Sequence, residues 1–538
     1  MNFYGGMYTF AFALLFGLYT AGRVTAYVFK KNKHILTFKV RLVFLFAFVI
    51  YLRSWYIEKI LNSCSNWTKG LSLELDQSKE FCEFRVPQVC FAEIISDWQD
   101  FTRYFKNLQC ENVPTFPEIF TEYYKTDKPF IALPLTKNFD YDSRNEYLIK
   151  EAVVYNATGY DTLEQAIKDG YEVILDTKNS NFINHIERNE TLVEERKKLQ
   201  PKDRGNLTDN LMLVFIDAFS RQRAHHKLPK TMEFFKERDH KEFFRLHAMH
   251  DRTVENMMLF LYGKTREDLS YGPAYPPYDE NYLPDFENKL ISLIEDFQSL
   301  GYITSYAADI CETNLFGQKD RYKRFVKNTP ADHESVGTTC DPHIYDFVGG
   351  KAQFQGFFSI FRHCLYQRDS FVFTFDYAKQ FWKTYNQDKK VSIVVLMDGH
   401  EETGEVIQYV DEPLNQLLRE VEQDNTTIIL FSDHGLHIGG IRKIFGGVQR
   451  DVEMFNPFIM TQNLKGLKPE YQKNFDYNQQ KLITHMEFRN FLKYWASGEY
   501  QERSLISKLP NDQENCDFIG FFCQCQNYET NLKSHSLE

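Results

Sequence analysis

The sequence predicts an α/β fold with a doubly wound, mostly parallel sheet and helices on both faces, preceded by an N-terminal membrane segment. Three observations predict it: short continuous apolar runs, helix-length segments between them, and two strongly apolar stretches before residue 57. The runs are Leu211–Ile216 (LMLVFI), Tyr302–Tyr306 (YITSY), Val391–Met397 (VSIVVLM) and Thr427–Phe431 (TIILF). Apolar residues without alternation are what strands covered on both faces of a parallel sheet require. Asp285–Leu300 and Glu412–Glu422 carry apolar residues at helical spacing, as crossover helices would. Strands alternating with helices give the doubly wound class.

Each run leads to an acid: Asp217 after the first, Asp309 after the second, Asp398 after the third and Asp433, followed by His434, after the fourth. Ligands of open α/β sheets bind outside the carboxyl ends of the strands. One such Asp is equally well a helix N-cap. Four of them favour convergence on a cation, because crowded carboxylates repel one another without one.

The N-terminus reads differently. Tyr8–Thr20 (YTFAFALLFGLYT) and Val43–Leu52 (VFLFAFVIYL) are apolar, and Lys30, Lys31, Lys33, His34, Lys39 and Arg41 lie between them. The basic segment belongs on the cytoplasmic side, sending the chain after Trp55 across the membrane. A signal-anchor over residues 42–56 is expected, with or without an earlier span at 7–29; a cleaved signal peptide is the alternative. Five Asn-X-Ser/Thr triplets (Asn66, Asn156, Asn189, Asn206 and Asn425) and all 10 cysteines follow these stretches, as in an exported, disulfide-bonded glycoprotein. Cys516, Cys523 and Cys525 are also open to a metal-site reading, but paired CxxC elements are missing. Residues 1–56 are thus the anchor, 57–204 an N-terminal lumenal or extracellular region, 205–500 the sheet-bearing domain and 501–538 a cysteine-containing tail. The polar stretch Glu187–Asn206 reads as a solvated helix and linker between the second and third of these. A net charge of −11 argues against a nucleic-acid partner.

Asp217-Ala218-Phe219-Ser220-Arg221, with Leu228-Pro229-Lys230-Thr231, then Ser432-Asp433-His434-Gly435 and Arg442, resembles an uncharacterised animal family of the alkaline-phosphatase-like superfamily. That superfamily also holds sulfatases, nucleotide phosphodiesterases and phosphoethanolamine transferases. The resemblance implies that Asp217, Asp433 and His434 bind a metal and that Thr253, within His247–Gly263, is both nucleophile and metal ligand. It places Asp309 and His400 at weaker matches, and a second cation would fall to Asp309 or Asp398 with His400. Carboxylate, imidazole and hydroxyl donors suit Zn or Mn. The implied activity is hydrolysis or transfer at a phosphate, phosphodiester or sulfate ester, on an anionic substrate that is glycan- or lipid-linked or free. The alternatives are an inactive ectodomain that keeps the fold as a binding module, and a structural membrane protein whose aspartates only cap helices. No Cys- or Ser-x-Pro-x-Arg segment of the sulfatase type is present.

The chain departs from its relatives at Arg252, where they carry Asn, and at Glu255, where they carry Pro. It departs again at Ala218, Ala308 and His437. His225 and His226 read as surface residues of a helix; His247, His250 and His485 read as structural.

Overall fold

The computed structural model describes residues 158–179, 181–265, 290–309, 330–335, 363–365, 368–438 and 447–525, with short pieces at 47–51, 53–54, 70, 80–83, 110 and 127–133. The first strands are β1 (Phe130–Leu133), β2 (Thr158–Tyr160), β3 (Val173–Asp176) and β4 (Asn181–Asn184), an antiparallel sheet in the order β2-β1-β3-β4. Helix α1 (Leu163–Lys168) lies within it, and α2 (Glu190–Leu199) follows. Only Val193 of α2 is buried, matching the solvated helix expected there.

The main sheet begins with β5 (Asn210–Ile216), followed by α3 (Arg221–Lys227), α4 (Pro229–Lys236), β6 (His240–Glu242) and α5 (Thr253–Tyr262). Then come α6 (Leu293–Ser299), β7 (Ile303–Ala308), β8 (His333–Ser335), and the two-residue β9 (Cys364–Leu365) and β10 (Arg368–Asp369). Helix α7 (Ser370–Thr384), β11 (Lys390–Leu396), α8 (Asp411–Val421), β12 (Thr426–Phe431), α9 (Gly447–Phe455) and β13 (Ile459–Gln462) follow, and α10 (Pro469–Asn478), α11 (His485–Ser497) and α12 (Asp512–Ile519) close the chain. The strand order is β6-β13-β12-β5-β11-β7-β8. Strands β12, β5, β11, β7 and β8 are mutually parallel; β13 runs antiparallel to both its neighbours. This is the predicted doubly wound, mostly parallel sheet.

Alternation along β5 explains its unbroken apolarity. Leu211, Leu213 and Phe215 join a core with Phe260 of α5, Phe297 of α6 and Trp495 of α11. Met212, Val214 and Ile216 join the opposite core with Phe234 of α4, Phe371 of α7 and Leu414 of α8. Each such side chain contributes about 1.5–3 kcal/mol of burial. The small sheet packs from one end through Phe182, whose ring lies 4.5 Å from that of Phe373.

The crossover expected over Asp285–Leu300 is shorter. Ser292 Oγ accepts from Glu295 N (3.2 Å), so the helix starts at Leu293; residues 285–289 are outside the described residues. The stretch at Glu412–Glu422 matches α8. Disulfides join Cys82 to Cys525, Cys110 to Cys364 and Cys516 to Cys523. Cys516, Cys523 and Cys525 are therefore bonded as disulfides, whereas Cys64, Cys90, Cys311 and Cys340 lie outside the described residues. Among the described residues no helix is long and apolar enough to cross a membrane, and the expected spans at 7–29 and 42–56 lie wholly or largely outside them.

Truncating β5 at its centre leaves a cavity between two fully covered layers. Leu213→Ala is expected to cost about 2–5 kcal/mol in chemical denaturation, whereas an exposed change such as Tyr477→Ala costs under about 1 kcal/mol.

Candidate metal centre

The parallel strands end along one edge, and the aspartates follow from that. Asp217 leaves β5 and Asp433 leaves the adjacent β12, each 2% exposed or less. Ala218, next to Asp217, adopts φ 53°, a left-handed conformation that costs a non-glycine residue about 1–2 kcal/mol. That turn aims the Ala218 N–H at Asp433 Oδ1 (3.2 Å) and so ties the two strand ends together. Two glycines permit the crowding. A Cβ at Gly399 would lie 2.3 Å from the Asp217 carbonyl oxygen, and one at Gly435 would lie 2.0 Å from the Glu453 carbonyl oxygen.

None of these aspartates is spent as a cap for α3: Ser220 Oγ takes that role, accepting from Arg223 N. Asp217, Asp433 and His434 instead converge, with one donor atom from each lying within 4.8 Å of the others. His434 Nδ1 is 2.7 Å from the Gly435 carbonyl oxygen, which can only accept, so Nδ1 carries the proton and Nε2 a lone pair. Burial lowers the His434 pKa and holds the ring neutral. Its bare Nε2 stands 3.2 Å from Asp433 Oδ2, an oxygen with no hydrogen-bond donor. When Asp433 is ionised, two acceptors face each other in a dry site and lack a positive partner.

Thr253 completes the cluster. Its hydroxyl donates to Asp217 Oδ1 (3.0 Å) and lies 3.3 Å from His434 Nε2. Position is set by Asn256, fully buried one turn into α5. Asn256 Oδ1 accepts from Met249 N (2.7 Å) and His250 N (3.2 Å), while Nδ2 donates to the carbonyls of His250 (2.8 Å) and Arg252 (2.9 Å). This clamp fixes the turn that delivers Thr253 at the first residue of α5; sequence reading did not single it out.

The other expected ligands are placed apart from that group. Asp309 Oδ1 accepts from Met397 N (2.8 Å), bridging the ends of β7 and β11, and its Oδ2 is buried without a donor. Asp398 is fully buried with both oxygens in that condition, and burial followed by the charge of Asp309 drives its pKa well up. His400 does not join these two acids. Its ring lies 5.1 Å from that of His437, which lies 4.9 Å from that of His434. Among the described residues no three-ligand group contains Asp309, Asp398 or His400. His437 was noticed only as a departure from relatives; no spacing signal marked it as the ring between two others.

His225 corrects the sequence reading: its side chain is 4% exposed and lies 2.7 Å from Glu242 Oε1, which also accepts from Arg221 Nε (2.7 Å). An acid 17 residues away in β6 draws it inward. His485 Nε2 donates to the Ser432 carbonyl (2.9 Å) and His247 Nε2 accepts from Gln524 N (3.1 Å), both structural as expected. Arg442 is outside the described residues.

Fold and site together define a doubly wound α/β protein with a three-ligand candidate metal centre and an adjacent threonine. Residues 123–536 match the family model described as "Protein of unknown function (DUF229)", and the chain belongs to that family. No curated protein matches. Similar solved structures include the integral membrane protein lipooligosaccharide phosphoethanolamine transferase A from Neisseria meningitidis (12% identity, 58% of this chain and 60% of that chain, TM-score 0.36). They include the C-terminal periplasmic domain of EcEptC from Escherichia coli in complex with Zn (12%, 57% and 88%, TM-score 0.39). A protein in the alkaline phosphatase superfamily from Vibrio parahaemolyticus is another (14%, 57% and 76%, TM-score 0.34). The chain thus spans 60% of the length of the first.

Burial raises Asp217 and Asp433 from the ordinary 3.8 to about 7, with the charge of Asp433 adding to the effect on Asp217. Without metal, the folded state then holds more protons than the unfolded one between these values, so stability from these groups is full at low pH and lost as pH rises toward 7. Accordingly, metal-free Asp433→Asn should gain in Tm relative to the unsubstituted protein as pH rises from about 5 to 8, and a saturating divalent cation should reverse the order. A difference independent of pH would show that the carboxylates do not share one buried site.

Proposed function

We propose that this protein is a metal-dependent hydrolase or transferase acting on phosphate, phosphodiester or sulfate esters, with Thr253 as the nucleophile. The observation that carries the reading is the position of Thr253 Oγ1, 3.0 Å from Asp217 Oδ1 and 3.3 Å from His434 Nε2 at the edge of the sheet. The donor set fits a divalent cation: two buried carboxylates, an imidazole with its lone pair turned inward, and an Asp433 oxygen without a donor. Asp217, Asp433, His434 and Thr253 would hold it. Zinc or manganese bound there supplies Lewis acidity that eases ionisation of the hydroxyl and offsets charge on the ester.

The remaining work belongs to the side chains. The Thr253 oxygen bonds to the phosphorus or sulfur centre as the ester bond to the departing alcohol breaks; its proton passes toward Asp217 Oδ1, and the departing oxygen takes a proton from solvent. The Asn256 clamp keeps the Thr253 oxygen in place, which matters because displacement of this kind is chiefly positioning and charge stabilisation. Water or an acceptor alcohol then takes the group from Thr253, giving hydrolysis or transfer respectively. Asp309 and Asp398 supply a second buried acidic pair and are the donors proposed for a further cation; His400, whose ring lies 5.1 Å from that of His437, is not grouped with them.

The same reading sets the domain on the lumenal or extracellular side of a membrane, tethered through its N-terminus. Three disulfides among the described residues and the exposed positions of Asn189, Asn206 and Asn425 support an oxidising, glycosylating compartment.

Thr253→Ala is expected to lower turnover of chromogenic phosphate, phosphodiester or sulfate esters by about 10³-fold or more, as loss of a covalent nucleophile does. Asp433→Asn is expected to reduce bound Zn or Mn by elemental analysis. Unchanged turnover in the first removes the nucleophile from the proposal; a stable, metal-free native protein with no turnover favours the binding module.

A further inference from the structure

The turn that delivers Thr253 is held by more than Asn256. The C-terminal tail folds back on it under two disulfides. Cys516–Cys523 closes a short loop, and Cys82–Cys525 ties the chain just beyond it to residue 82. The Cys525 sulfur lies within 4.8 Å of the sulfurs of Cys516 and Cys523, so the two crosslinks form one group. Phe522 stands inside the closed loop, directly before Cys523.

Its ring makes the contact. It lies 5.0 Å from the ring of His250 and 5.1 Å from that of Phe455, the last residue of α9. The ring of His247 stacks on Phe455 at 5.7 Å, and the Phe455 carbonyl accepts from Ala248 N (3.0 Å). Gln524 N donates to His247 Nε2 (3.1 Å), while Met249 packs against the buried cluster of Cys82, Cys516 and Cys525. Every residue from His247 to His250 thus meets either the tail or the end of α9, and Thr253 begins its helix three residues later. The end of α9 also reaches the other half of the site, where Gly435 N, next to His434, donates to the Met454 carbonyl (2.8 Å).

Building on Thr253 as the proposed nucleophile, we infer that Phe522 is a positioning residue: its ring, held in the Cys516–Cys523 loop, braces the turn before α5 so that Thr253 Oγ1 stays within reach of Asp217 and His434. Phe522 acts through His250 and Phe455 and takes no part in bond making. A misplacement of about 1 Å at a reacting atom lowers a rate by about 10²-fold, so a brace of this kind governs turnover without touching the ester.

Hydrogen exchange of the full chain, followed by mass spectrometry, reads the turn directly, because the amides of Met249 and His250 are the ones bonded to Asn256 Oδ1. Phe522→Ala is expected to speed exchange in peptides spanning these two residues by about tenfold. Exchange in β5, which packs in separate cores, stays unchanged. Phe522→Tyr keeps the ring and should remain within about threefold of the unsubstituted protein. Cys516→Ser combined with Cys523→Ser opens the loop and should act at least as strongly as Phe522→Ala; if that double variant melts early, Phe522→Ala decides alone. Unchanged exchange at Met249 and His250 in Phe522→Ala, or an equal rise in β5, overturns the inference. Turnover of chromogenic esters by the zinc-loaded protein is measured alongside: kcat falls by about tenfold or more in Phe522→Ala with KM within about threefold, and Phe522→Tyr restores it. Faster local exchange with no turnover in any form contradicts the proposed reaction and leaves the brace standing. Turnover that Phe522→Ala leaves unaltered overturns the inference and leaves the reaction standing.

Discussion

Two carboxylates and a neutral imidazole, all removed from water at the ends of adjacent parallel strands, are the constraint around which this molecule is organised. Asp217, Asp433 and His434 are each 2% exposed or less, and Asp433 Oδ2 and His434 Nε2 face each other at 3.2 Å. Isolated buried charge is among the most costly features a fold can carry. A cation resolves the conflict, because it converts mutual repulsion into shared attraction. Much of the surrounding structure is intelligible as the means of holding those groups together. The left-handed Ala218 closes the gap between β5 and β12, glycines at 399 and 435 admit neighbouring backbone, and Asn256 holds the turn that brings Thr253 in.

The sheet explains why the site can be rigid. Its central strand β5 is covered on both faces by separate apolar cores, and the strands flanking it are bonded in register along six residues each. Strand ends set in such a frame cannot drift apart without disturbing close-packed layers. The helix that carries Thr253 packs on the same frame through Phe260, whose ring lies 4.9 Å from that of Phe431 in β12. Thr253 and the Asp217, Asp433 and His434 group are therefore fixed relative to one another by shared core contacts rather than by loops alone.

What the sequence made legible was whatever depends on local pattern. Four apolar runs followed by aspartate marked β5, β7, β11 and β12, and they marked the acid-bearing strand edge at the same time. Strands β6, β8 and β13 escaped because three or four residues carry too little periodicity, and β6 and β8 derive their strand character from neighbours in the sheet. His225 escaped because its partner Glu242 belongs to one of those short strands. The pairing of Cys82 with Cys525, 443 residues apart, was equally closed to spacing arguments. Asp217, Thr253, Asp433 and His434 were grouped from the sequence and lie together in the structure, whereas His437 and Asn256 were not grouped with them: one packs by its ring and the other bonds backbone, and neither leaves a motif. His400 was grouped with the acids through a weaker match in the family resemblance; its ring instead packs against that of His437, 5.1 Å away.

The account stands or falls on whether one ion joins side chains from three separate parts of the chain. Anomalous diffraction at the zinc edge from crystals of the zinc-loaded protein measures this directly. The predicted result is a peak within bonding distance of Asp217, Asp433, His434 and Thr253 Oγ1 together. A peak elsewhere, or none at these residues under saturating zinc, would contradict it.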